Sequence, residues 1–68
     1  MKIFCERLKE LRTEKGLSAK KLALQIGVSD SIIIKWEKGQ RTPTIDNLYN
    51  LAVFFGVSAD FLIGLSDY

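Results

Sequence analysis

The chain has no histidine and only one cysteine, Cys5. An internal disulfide, the usual Cys/His zinc sets and an imidazole general base are therefore excluded by composition. No metal and no cofactor is expected. Proline occurs once, at Pro43, and no apolar run approaches the roughly 18 to 20 residues that a membrane span requires. Strict apolar-polar alternation is missing, so nothing reads as a strand, and no segment repeats. Met1 to Lys9 carry charge where a secretory leader would be apolar, which together with the lone thiol points to a reducing cytoplasm.

What is present is 68 residues, 47% hydrophobic and 26% charged. That suits one small globular domain over residues 1–68, burying about 60% of the surface its unfolded chain exposes. Charge is distributed unevenly. All ten Lys and Arg lie in residues 1–41 against five acids, whereas residues 42–68 contain Asp46, Asp60 and Asp67 and no base. The first two-thirds can meet a polyanion, and the last third is acidic and apolar enough to meet itself or another protein.

Helical periodicity accounts for nearly the whole chain. Phe4, Leu8 and Leu11 recur at i, i+4 and i+7 between charged residues, so residues 3–15 read as an amphipathic helix ended by Gly16. Ser18 supplies an N-cap for a second helix, in which Ala19, Leu22, Ala23 and Ile26 share a side before Gly27 stops it. Ser29 caps a third, Asp30 to Glu37, with Ile33, Trp36 and Glu37 on one side and Gly39 closing it. After a loop from Gln40 to Pro43, a fourth helix starts at Thr44, with Ile45, Leu48, Leu51, Ala52 and Phe55 expected to face inward, and Gly56 ends it. Ser58 caps a short fifth helix through Ile63. The expectation is an all-α bundle of five helices.

Two helices joined by a turn that opens on Gly27, each begun by a serine, have the spacing of a helix-turn-helix over residues 18–37, a unit that can present its second helix outward. That geometry also occurs in bundles that never touch DNA. The run GLSAKKLALQIGVSDSIIIKWEKGQRTP, residues 16–43, is more specific, and with RLKELR before it and LAVFFGVSADFLIG after it, residues 3–64 resemble the Xre family, the phage Cro and repressor-type DNA-binding domains. The resemblance implies a compact five-helix fold of the lambda-repressor type, with helices two and three as its helix-turn-helix. It implies double-stranded DNA as the partner.

Opposite Ile33 and Trp36, the third helix should expose Ser31, Lys35 and Lys38, with Ile32 and Ile34 on the flanks and Asp30 in its first turn. Family members read base edges with the residues that align to Asp30, Ser31 and Lys35. Lys35 can donate to guanine O6 or N7, Ser31 can bond to several bases, and Ile32 and Ile34 can meet a thymine methyl. Two roles stay open for Asp30: accepting from cytosine N4, or answering the helix dipole and capping the first turn. Ser18, Lys20 and Lys21 at the start of helix two, Ser29 at the cap, and the loop Lys38, Gln40 and Arg41 are the candidate phosphate contacts. At Ala19 the chain departs from the family, which very often has a glutamine there that touches backbone and a neighbouring recognition side chain. Alanine does neither.

Arg12 and Glu37 match a pair that relatives use as a partly buried salt bridge, which here would set the angle of the third helix. The last two helices hold more apolar surface than one core absorbs, and the resemblance implies a homodimer seam at Phe54, Phe61, Ile63, Leu65 and Tyr68. Alternatively, Phe54, Phe61 and Tyr68 fold back to complete the core. The function expected is a sequence-specific transcriptional regulator that represses by occupying an inverted-repeat operator, a chain this short leaving no room for an effector pocket. The alternative is an antitoxin-like or adaptor module that binds a protein partner through its apolar C-terminal end. An enzyme is not expected, because Glu6, Glu10 and Glu14 form an open solvated stripe and Cys5 has no histidine to activate it.

Overall fold

A computed structural model describes all 68 residues. It contains five helices and no strand: α1 (Lys2–Glu14), α2 (Ala19–Ile26), α3 (Asp30–Glu37), α4 (Ile45–Phe55) and α5 (Ala59–Ile63). Four of them begin on a side-chain cap. The hydroxyls of Ser18, Ser29, Thr44 and Ser58 accept from the backbone N–H three residues on, occupying one of the donors each helix start leaves free.

Every helix also ends in the same way. The residue after each glycine donates its N–H back five positions, Leu17 to Arg12, Val28 to Ala23, Gln40 to Lys35, Val57 to Ala52 and Leu65 to Asp60. These are the long closing bonds of Schellman motifs, and they require the intervening residue to be left-handed. At Gly27, where φ is 75°, this closure turns the chain out of α2 in time for Ser29 to start α3 two residues later.

The core is a cluster of nine buried residues drawn from all five helices: Phe4 and Leu8, Leu22 and Ala23, Ile33 and Trp36, Leu51 and Ala52, and Leu62. Trp36 and Phe4 meet edge to face with ring centroids 6.3 Å apart, so α3 is anchored on α1 by its largest side chain. The inward stripe expected of α4 is shorter than its periodicity suggests. Ile45 is 85% exposed, Leu48 is half-buried against the core, and full burial starts with Leu51 and Ala52. The first turn of α4, straight after the loop, overhangs the core, so a residue with the right helical phase finds no neighbour to cover it.

Candidate nucleic-acid interface

The burial of Ile33 and Trp36 orients the rest of α3. With 100° between successive residues, the positions away from that buried side must face water, and Ser31, Ile34, Lys35 and Lys38 are all exposed, as is Asp30 in the first turn. Ile32 is the exception. It is half-buried and packs against the core cluster, so it is removed from the expected groove flank, its phase placing it nearer to Ile33 and Trp36 than to the outer face. The Ser29 hydroxyl accepts from the Ile32 N–H at 3.3 Å and lies 3.2 Å from the Ser31 hydroxyl, so the cap also fixes where Ser31 points.

Exposed cations lie in the chain segments before and after α3. Lys20 and Lys21 are exposed in the first turn of α2, behind Ser18, whose hydroxyl accepts from the Lys21 N–H at 3.1 Å. Lys38, Gln40 and Arg41 are exposed in the segment that leaves α3. That segment is closed on the helix by the Gln40 N–H to the Lys35 carbonyl at 2.9 Å. Ala19 is half-buried against the core, as a small apolar side chain on this inner edge of α2 should be. An open cleft between α2 and α3 is lined by Lys20, Ala23, Leu24, Val28 and Asp30.

A clasp joins α1 to the end of α3. Arg12 donates from Nε to Glu37 Oε2 at 2.6 Å and from Nη2 to Oε1 at 2.9 Å, a two-pronged bond between α1 and the end of α3. Its Nη1 donates to the Leu17 carbonyl at 2.8 Å, which adds the turn before α2 to the same fastening. The hydrogen bond that Glu37 accepts raises the Arg12 pKa, partial burial works against it, and the carboxylate charge adds to the rise. Both side chains are mostly shielded, so the pair acts as a geometric constraint more than as a source of stability.

Arg7 plays a comparable part that sequence reasoning missed. Its guanidinium donates to the Phe61 and Ser66 carbonyls and lies 4.2 Å above the centre of the Phe61 ring, tying α1 to α5 and to the segment after it. No local pattern signals this, since the acceptors are backbone oxygens more than fifty residues away. Arg7 and Arg12 are thus engaged within the molecule, and the other eight Lys and Arg are exposed.

The residues expected at a dimer seam divide into two groups. Leu65 and Tyr68 are exposed at 75% and 87%. Phe54, Phe61 and Ile63 are half-buried. Phe54 packs against the core and stands edge to face with Phe55 at 5.0 Å, while Phe61 lies beneath Arg7. Folding back thus accounts for Phe54 and Phe61 but not for Tyr68. Cys5 is half-buried, and its thiol donates to the Met1 carbonyl at 2.9 Å. No helix is long and apolar enough to cross a membrane.

A protein family described as helix-turn-helix matches residues 8–62 of this chain. Among curated proteins, the HTH-type transcriptional regulator YobD of Bacillus subtilis is 35% identical over 65 residues, which are 96% of this chain and 58% of YobD. The HTH-type transcriptional activator BcrR of Enterococcus faecalis is 42% identical over 60 residues, covering 88% of this chain and 29% of BcrR. The chain therefore spans little more than half the length of the first of these relatives and under a third of the second. Among solved structures, the restriction-modification controller protein C.AhdI of Aeromonas hydrophila superposes with a TM-score of 0.81 at 38% identity, over 90% of this chain and 92% of that one.

Proposed function

The chain belongs to the Xre-type helix-turn-helix family, and from that premise we propose that it is a sequence-specific DNA-binding transcriptional regulator that carries α3 into the major groove. The observation that carries this reading is the two-sidedness of α3: Ile33 and Trp36 seal one side into the core, Ser31 and Lys35 are exposed on the other, and exposed cations lie in the chain segments before and after the helix.

In the groove, Lys35 donates to guanine O6 or N7 and Ser31 bonds to a neighbouring base edge, its hydroxyl steadied by Ser29. Ile34, 43% exposed, offers an apolar contact to a thymine methyl. Lys20 and Lys21 with the Ser18 end of α2 hold one phosphate strand, and Lys38, Gln40 and Arg41 hold the other. These contacts fix register and make affinity fall steeply with salt, and the base contacts supply the choice of sequence. None of this requires bond chemistry. An operator occupied by the protein is closed to other proteins by volume alone, so the simplest action is repression.

Two copies related by a twofold axis would set their recognition helices about 34 Å apart on one face of the duplex. Leu65 and Tyr68, with the exposed edges of Phe54, Phe61 and Ile63, are the surface offered to the second copy. The adaptor reading has less support, because the relatives named above are transcriptional regulators and a controller protein.

The decisive experiment is selection of bound duplexes from a random pool at near-physiological salt. Paired half-sites in inverted orientation are the expected result. A protein that retains no duplex in a salt-sensitive way would overturn the reading.

A further inference from the structure

We propose that Arg7 is a positioning residue for operator recognition: it holds the seam end of the molecule at a fixed angle to α3 and so makes the protein demand one spacing between its half-sites. The assignment rests on the paired-copy reading given above.

The starting point is how weakly α5 is rooted. It has five residues and places one fully buried side chain, Leu62, in the core. A helix pinned at one point can pivot about it. Its cap and its closing bond do not stop that motion, because both are local: Ser58 accepts from the Phe61 N–H, and Leu65 donates to the Asp60 carbonyl. The restraint comes from α1. Half-buried Arg7 donates from Nη1 to the Phe61 carbonyl and, at 2.8 Å, to the Ser66 carbonyl, while its guanidinium covers the Phe61 ring. One turn earlier on the same face of α1, Ile3 stands so close to Gly64 that an added Cβ would come within 2.9 Å of its Cγ2. The stretch from Phe61 to Ser66 thus rests on α1 through Ile3 and Arg7, and it includes Phe61, Ile63 and Leu65 of the seam.

Further along the same helix, Arg12 clasps Glu37 at the end of α3. Arg7 and Arg12 stand about 7.5 Å apart along the axis of α1, which therefore joins the seam to the reading helix through two fastenings. The lever from seam to DNA is long. With reading helices about 34 Å apart, each about 17 Å from the twofold axis, a tilt of about 10° at the seam moves a helix by about 3 Å, close to the rise of one base pair. Loosening Arg7 changes which spacings fit and leaves the groove contacts of Ser31 and Lys35 alone.

The test titrates wild type, Arg7→Met, Arg7→Lys and Ile3→Ala against the selected operator and against versions with the half-sites one base pair closer or farther. Thermal melts and sedimentation accompany each protein. Methionine keeps an apolar stem without a donor, whereas lysine restores a nitrogen able to donate to both carbonyls. Wild type should prefer one spacing. Arg7→Met should remain a dimer, select the same half-site sequence and lose about tenfold of the spacing preference, and Arg7→Lys should recover most of it. Ile3→Ala loosens the same attachment at an exposed position and should shift the preference in the same direction, which keeps the test open if Arg7→Met does not fold. A loss of folded protein weakens all three duplexes by one factor, so the ratio between them reads positioning and not stability. An unchanged ratio in the folded variants would overturn the role of Arg7 and leave the paired-copy reading standing. Conversion of Arg7→Met to a monomer would overturn it too, since Arg7 would then build the seam and not orient it. Wild type that binds single half-sites with no preferred spacing would remove both readings.

Discussion

Lys35 and Arg12 carry the same charge, but the fold directs one outward and locks the other in a clasp, so their substitutions should have different effects. Lys35→Ala should relax base preference at one operator position with little change in stability. Lys20→Ala and Arg41→Ala should weaken all sequences alike and lower the slope of log affinity against log salt by about one each. Titrations of operator and scrambled duplex at several salt concentrations separate the two behaviours. Arg12→Ala or Glu37→Gln should each cost about 3 kcal/mol in denaturant unfolding, because the remaining partner is left shielded and unpaired. Wild-type stability in both would refute the clasp. The pH sign follows from the raised Arg12 pKa: the folded state holds that proton more tightly than the unfolded chain does. The resulting stability is present at neutral pH and is lost as pH climbs through and beyond the ordinary arginine range. The difference between wild type and Arg12→Ala should therefore stay level across neutral pH.

Among the elements, each helix carries its own start and stop in the sequence, because caps and Schellman closures involve residues at most five apart. Boundaries were therefore legible to within a residue, from Ser18, Ser29, Thr44 and Ser58 to the glycines that follow. Faces were less so. Periodicity gives Ile45 the phase of Leu48 and Phe55, yet whether a phase is buried depends on which neighbour lies opposite, and none lies opposite the first turn of α4. Two glycines separate backbone strain from crowding. Gly27 has open space where a Cβ would stand, so Gly27→Ala should cost only the left-handed penalty, about 1 to 2 kcal/mol. At Gly64, where φ is 89°, an added Cβ would come within 2.9 Å of Ile3 Cγ2, so Gly64→Ala should unfold at lower denaturant than Gly27→Ala. Equal midpoints would show that Ile3 yields freely.

At the scale of the whole molecule, charge and exposure divide it into a basic part built from α1, α2 and α3 and an acidic part from α4 onward. If the second part is the seam between two copies, sedimentation should show a dimer at micromolar concentration, and Leu65→Asp together with Tyr68→Ala should convert it to a monomer. The selected operator should then hold two half-sites about one helical turn apart. A wild-type monomer at all concentrations would count against the seam. The dimer candidates illustrate the reach of sequence reasoning: Leu65 and Tyr68 are open as expected, whereas Phe54 and Phe61 are partly engaged at home by contacts with Phe55, Lys15 and Arg7.

Local chemistry wrote five helices, their caps and the outward side of α3 into the order of residues, because hydroxyl caps, left-handed glycines and a period of 3.6 act over a turn or two. Long-range packing decided the rest. It drew Ile32 against the core, left Ile45 in water and set Arg7 over Phe61. Those outcomes depend on which surfaces are brought face to face, and a linear pattern does not contain that information.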